Sequence, residues 1–158
     1  MRADLAEPVK DQVKLRQVLP LAEEIYALLE AGQPYDTQLK QVSRIAGHIV
    51  DKPTVLYAFG TGTPEYFARR LLIDWHDLPR DLSNAEMVEL LEALLDARGS
   101  EDRCEYWLKC LQLNTGEPEL TNLIYWPNEY RGGEYDGHDL TATEVLQIAL
   151  KHGQREAT

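Results

Sequence analysis

Two capping boxes constrain the fold of this chain more than any other feature. Ser83-Asn84-Ala85-Glu86 and Thr141-Ala142-Thr143-Glu144 each place a hydroxyl three residues ahead of a glutamate, directly before an apolar run. In that arrangement the hydroxyl and the carboxylate satisfy each other's unpaired helix-start amides. Met87, Leu90, Leu91 and Leu94 follow the first box at helical spacing, with Val88 and Leu95 widening the stripe. Val145, Leu146, Ile148 and Ala149 follow the second, and Gly153 is expected to end that helix. Between the boxes Gly99 stops one helix and Ser100 is positioned to cap the next, with Glu101 and Asp102 in its first turn. Cys104, Trp107, Leu108 and Leu111 form the apolar stripe of that helix, and Gly116-Glu117-Pro118 breaks it. No stretch shows strand alternation, so the chain is predicted to be all-α.

The first half carries the same punctuation. Pro8 and Pro20 both stand where a helix can begin, and Val18, Leu21, Ala22, Ile25, Leu28 and Leu29 keep a helical period up to Gly32-Gln33-Pro34. Leu39, Val42, Ile45 and Ala46 mark a second amphipathic stretch ended by Gly47. In Phe59-Gly60-Thr61-Gly62-Thr63-Pro64-Glu65 two glycines precede a helix start, but neither the P-loop nor the dinucleotide fingerprint is present. The reading adopted is a helix capped by Thr63, with Pro64 in its first position and Glu65 complementing the dipole. Arg69 and Arg70 leave phosphate binding by Gly60–Arg70 as a minor alternative. The polar stretch 74–83, with Pro79 and no helical period, is taken as a boundary. It divides an N-terminal helical region of unknown role (1–79) from a C-terminal domain (80–158).

Charge separates these halves. Of the net −11, residues 1–79 contribute −2 (11 acids, 9 Lys/Arg) and residues 80–158 contribute −9 (16 acids, 7 Lys/Arg). Such a surface argues against nucleic acid or an anionic membrane as direct ligand and favours a basic partner. Cys104 and Cys110 are awkwardly spaced on one helix for a mutual disulfide. Neither a signal core nor a run of roughly 18 apolar residues is present, and the protein is expected to be cytoplasmic.

One segment resists a purely structural reading. Leu123-Ile124-Tyr125-Trp126 is stopped at once by Pro127 and followed by charged, glycine-rich chain. Leu123 and Ile124 read as core; the aromatic pair either plugs a small helical core or is displayed to a partner. Residues 81–153 resemble the immunity proteins that inhibit DNase-type colicins and S-type pyocins. The resemblance is carried by "DLSNAEMVELLEALL", "GSEDRCEYWLKCLQLN", "EPELTNLIYWPNE" and "DLTATEVLQIALKHG", in that order. It implies a four-helix bundle whose third helix is one turn long, ended by Pro127, and presents Tyr125 and Trp126 to a nuclease.

The same resemblance makes the second helix of that bundle the specificity element. Its matching positions are Glu101, Cys104, Glu105, Leu108, Lys109 and Gln112, with Trp107 and Leu111 facing inward, and Asn122 stands before the Leu-Ile-Tyr run. Cys104, Lys109, Gln112 and Asn122 depart from the family's usual residues. Glu101, Asp102, Glu105, Glu117 and Glu119 are expected to surround the aromatics with negative potential, which speeds capture of a basic protein. The implied function is inhibition of a basic bacterial nuclease toxin by occlusion, without catalysis. A helical interaction module with a non-toxin partner is the alternative.

Enzyme signatures are lacking. His48, His76, His138 and His152 have no metal-ligand spacing. Glu134, Asp136, His138 and Asp139 imitate a metal site, but Gly132, Gly133 and Gly137 make an acidic loop the simpler account. No cofactor and no metal are therefore expected.

Overall fold

A computed structural model describes residues 1–60, 62–130, 132 and 139–157, apart from the side chains of Glu101 and residues 155–157. The chain runs through α1 (Ala3–Ala6), α2 (Gln12–Glu30), α3 (Asp36–Ala46), α4 (Lys52–Ala58) and α5 (Pro64–Leu72). It continues through α6 (Asn84–Leu95), α7 (Glu101–Thr115), α8 (Leu120–Tyr125), α9 (Pro127–Tyr130) and α10 (Ala142–Ala157). All regular structure among the described residues is helical. Two compact units are present, Glu7–Asp77 and Met1–Ala6 with Leu78–Thr158. Their division at Asp77/Leu78 lies beside the boundary expected near residue 79, but residues 1–6, expected with the first half, cluster with the second.

In the unit Glu7–Asp77, α2 packs against α3 and α5, and α4 against α5. Leu15, Val18, Ala22 and Ile25 of α2 meet Leu39, Val42, Val55, Phe67 and Leu71 in the core. Pro20 does not begin this helix. Asp11 caps it, its carboxylate accepting from Val13 N at 3.0 Å and Lys14 N at 3.1 Å, and Pro20 lies inside. The carbonyl that a proline leaves unpaired is that of the residue four earlier, Arg16. Both residues are exposed, so water can take that carbonyl, while the buried stripe runs on past the ring. Pro8 begins no helix either; it sits in a bend between α1 and α2. Gly47 closes α3 in the left-handed conformation, and Thr63 caps α5 with Pro64 in its first turn, as expected.

In the other unit α10 packs against α6, α7 and α8. Both capping boxes form: Ser83 N donates to Glu86 Oε2 at 2.8 Å and Glu86 N to Ser83 Oγ at 3.2 Å. At α10, Glu144 N donates to Thr141 Oγ1 at 3.2 Å. Ser100 occupies the N-cap position of α7, yet its side chain makes no capping hydrogen bond. Two further differences concern the ends of helices. Pro127 ends α8 but also opens a second turn of helix, α9. Gly153 does not end α10, which runs on to Ala157. A Cβ on Gly153 would overlap the Thr115 carbonyl oxygen and lie 2.9 Å from Gly116 C, so this glycine lets α10 cross the end of α7 at backbone contact.

The docking of α1 was not legible in the sequence. Leu5 is buried, and its carbonyl accepts the indole N–H of Trp107 at 2.7 Å. Arg2 binds Asp4 through two hydrogen bonds and reaches Asp81 at 3.2 Å, which raises its pKa further.

Candidate functional site

The site is built on α8, a helix too short to bury more than one side. Leu120, Leu123 and Ile124, at the i, i+3, i+4 spacing of one face, are buried. Tyr125 and Trp126 come next and point outward, 47% and 52% exposed. Their rings meet edge to face, with centroids 6.0 Å apart and planes at 67°, so each restricts the other at little entropic cost. Trp126 leaves helical geometry while its amide still donates to Asn122 O at 2.7 Å, and Tyr130 N donates to Trp126 O at 3.0 Å. The aromatic pair thus occupies a corner between two short helices.

The α7 residues sort as the helical register requires. Trp107 and Leu111 are buried, whereas Cys104, Glu105, Leu108, Lys109 and Gln112 are half-buried. The Glu101 side chain lies outside the described residues. α7 packs on α8, and burial followed by the Cys104 thiol raises the pKa of the Tyr125 hydroxyl. Cys104 and Tyr125 thus lie on two helices that pack against each other. Asn122 is held locally, its amide donating to Glu119 Oε2 at 2.5 Å.

Electrostatics differ from the expected acidic ring. Asp102 and Glu117 are interior residues, not surface charges. Asp102 faces inward in the first turn of α7, and the left-handed turn at Gly116 carries Glu117 back beneath α10. Glu119 is exposed and Glu105 half-buried. They are joined by the acidic residues Glu92 and Asp96, which the sequence did not mark as part of the site. A cleft of about 580 Å³ is lined by Glu92 and Leu95 of α6 and its C-cap Asp96, by Ile124, Tyr125 and Pro127, and by Asp139 and Leu140. Leu95 at the edge of the apolar stripe, followed by Asp96, was the available signal.

The alternatives fare less well. Arg69 is engaged by Glu65 at 3.2 Å and Glu7 at 3.4 Å, and Arg70 is buried, so the pair offers no open anion site. Glu134, Asp136 and His138 lie outside the described residues. Among the described residues no group of three or more His, Cys, Asp or Glu could hold a metal, and no helix is long and apolar enough to cross a membrane.

Comparison with known families bears on the second half of the chain. Residues 80–154 match the family model of colicin immunity protein / pyocin immunity protein. No curated protein and no solved structure matches the chain. The immunity-family segment takes in α6 to α9 and most of α10, including the Tyr125-Trp126 corner. Residues 1–6, which pack with it, and the whole unit Glu7–Asp77 lie outside the match.

Proposed function

We propose that this protein is an immunity protein whose C-terminal segment captures the nuclease domain of a bacteriocin and occludes its surface. The observation that carries this reading is the exposed Tyr125-Trp126 pair, seated on buried Leu123 and Ile124 within the immunity-family segment. Rigid aromatic side chains with large contact areas are the commonest anchors of tight protein interfaces. Glu105, Lys109 and Gln112, with Cys104 and Leu108, supply the variable polar surface beside the anchor, and Asn122 and Pro127 frame it. A nuclease cleft is basic because it must hold phosphates, so Glu92, Glu105, Asp96 and Glu119 favour rapid, salt-sensitive encounter. Inhibition then needs no chemistry from the inhibitor.

The test is co-purification of the full chain with a catalytically inactive nuclease domain of a bacteriocin from the same genome, together with protection of cells expressing the active toxin. A stable complex and survival are expected. A chain that binds a different protein and leaves cells unprotected would be an interaction module of another kind.

A further inference from the structure

Glu117 is fully buried, yet it is a carboxylate, and its four neighbours in the network belong to different parts of the unit. Oε1 accepts the backbone N–H of Glu119 at 2.7 Å, at the start of α8. Oε2 accepts the hydroxyl of Tyr130 at 2.7 Å, at the end of α9. The same oxygen pairs with Nδ1 of His152 on α10. Its own amide donates to Thr115 Oγ1 at 3.3 Å, at the end of α7, and that hydroxyl donates to Leu111 O at 2.7 Å. The Tyr130 ring also leans edge-on against His152, with centroids 5.7 Å apart.

Burying a carboxylate costs several kcal/mol unless partners replace its water. An apolar side chain would fill the same space without that demand. What the carboxylate adds is direction, because each oxygen accepts from a defined donor. Here the two oxygens take one donor from each end of the segment 119–130, and Tyr125 and Trp126 lie between those ends. Burial of Leu120, Leu123 and Ile124 holds the inner face of α8, but α8 and α9 are six and four residues long, below the length at which helices hold themselves.

We infer that Glu117 is a positioning residue for the toxin-binding corner, its carboxylate clamping both ends of segment 119–130 to α10 and so setting the presentation of Tyr125 and Trp126. This rests on the function proposed above only for what the corner presents to; the clamp itself is a property of the free protein.

The test uses the full chain labelled with 5-fluorotryptophan, in which Trp75, Trp107 and Trp126 give three resonances and Trp126→Phe assigns one of them. Tyr130→Phe deletes only the hydroxyl and keeps the ring on His152, and Glu117→Gln keeps the shape of the side chain. Both variants should shift or broaden the Trp126 resonance and speed amide exchange across residues 119–130, leaving Trp107 and Trp75 in place. With the inactive nuclease domain as probe, Tyr130→Phe should weaken binding roughly tenfold, about one hydrogen bond's worth. A variant that lowers the melting temperature while the Trp126 resonance and the exchange of 119–130 stay as in the parent overturns the clamp and leaves Glu117 a core polar group. If Glu117→Gln does not fold, Tyr130→Phe decides alone. Failure of any nuclease domain to bind the parent chain would reject the proposed function while the fluorine and exchange measurements still judge the clamp.

Discussion

Tyr125 and Trp126 each leave about half of their surface in water, so each has contact area to bury against a partner and little role in holding the fold. Tyr125→Ala and Trp126→Ala are each expected to weaken toxin binding by about 2 kcal/mol, roughly 30-fold. Thermal melts run beside titration calorimetry should show the fold unaffected. The two thiols are separated in the same way by their surroundings. Burial pushes the Cys110 thiol up to about 11, whereas Cys104 is partly exposed with Sγ 3.6 Å from the Arg98 carbonyl. Because the thiolate is the reactive form, iodoacetamide should add one group to the native protein and two in urea, read by mass spectrometry. The native adduct should map to Cys104 and, standing beside Tyr125, should reduce toxin binding.

At the level of helices, local chemistry was legible and long-range context was not. Thr63, Ser83 and Thr141 cap where the sequence places them because a cap is a contact between near neighbours in the chain. Pro20 was misread because its cost falls on a carbonyl that happens to face solvent, and Gly153 because its reason is another helix. The exposure of Tyr125 and Trp126 was legible since Leu120, Leu123 and Ile124 exhaust the buried face of so short a helix. Glu117 and Asp102 were not, because whether a carboxylate is buried depends on elements packed around it rather than on adjacent residues. Gly153 yields the corresponding prediction. In an exposed helix interior Gly→Ala gains about 1 kcal/mol. Here the added methyl meets backbone of Thr115 and Gly116, which cannot swing aside. Gly153→Ala should therefore destabilise the unit by about 1–3 kcal/mol, as overpacking does, seen as a lower urea midpoint with an unchanged m-value.

For the molecule as a whole, the informative feature is the return of residues 1–6 to the immunity-family segment. They lie outside the family match, yet bury Leu5 and satisfy the Trp107 indole. Residues 78–158 alone should fold, being longer than the roughly 60 residues at which single domains become marginal, but with that slot empty and that donor unpaired. Replacing residues 7–77 with a flexible Gly/Ser linker should give a chain more stable than 78–158 by about 3 kcal/mol, from one buried leucine and one restored hydrogen bond. Leu5→Ala in the linked chain should remove most of the gain, and denaturant titration of the three proteins measures each step.

That return also sets a timetable on the ribosome. Leu5 and its partner Trp107 are 102 residues apart in sequence, so at ordinary elongation rates Leu5 waits roughly 5–20 s for its binding slot to be synthesised. Residues 7–77 emerge as one uninterrupted stretch and can be complete before then. Within that unit Glu7 is paired with Arg69 at 3.4 Å, which holds the start of the stretch close to its last helix. A folded stretch of this kind shortens the flexible chain that Leu5 must search through, and closure entropy grows with the length of flexible chain. The segment that matches the immunity family is thereby the last part of the protein to be completed, after residues 7–77 have had time to fold.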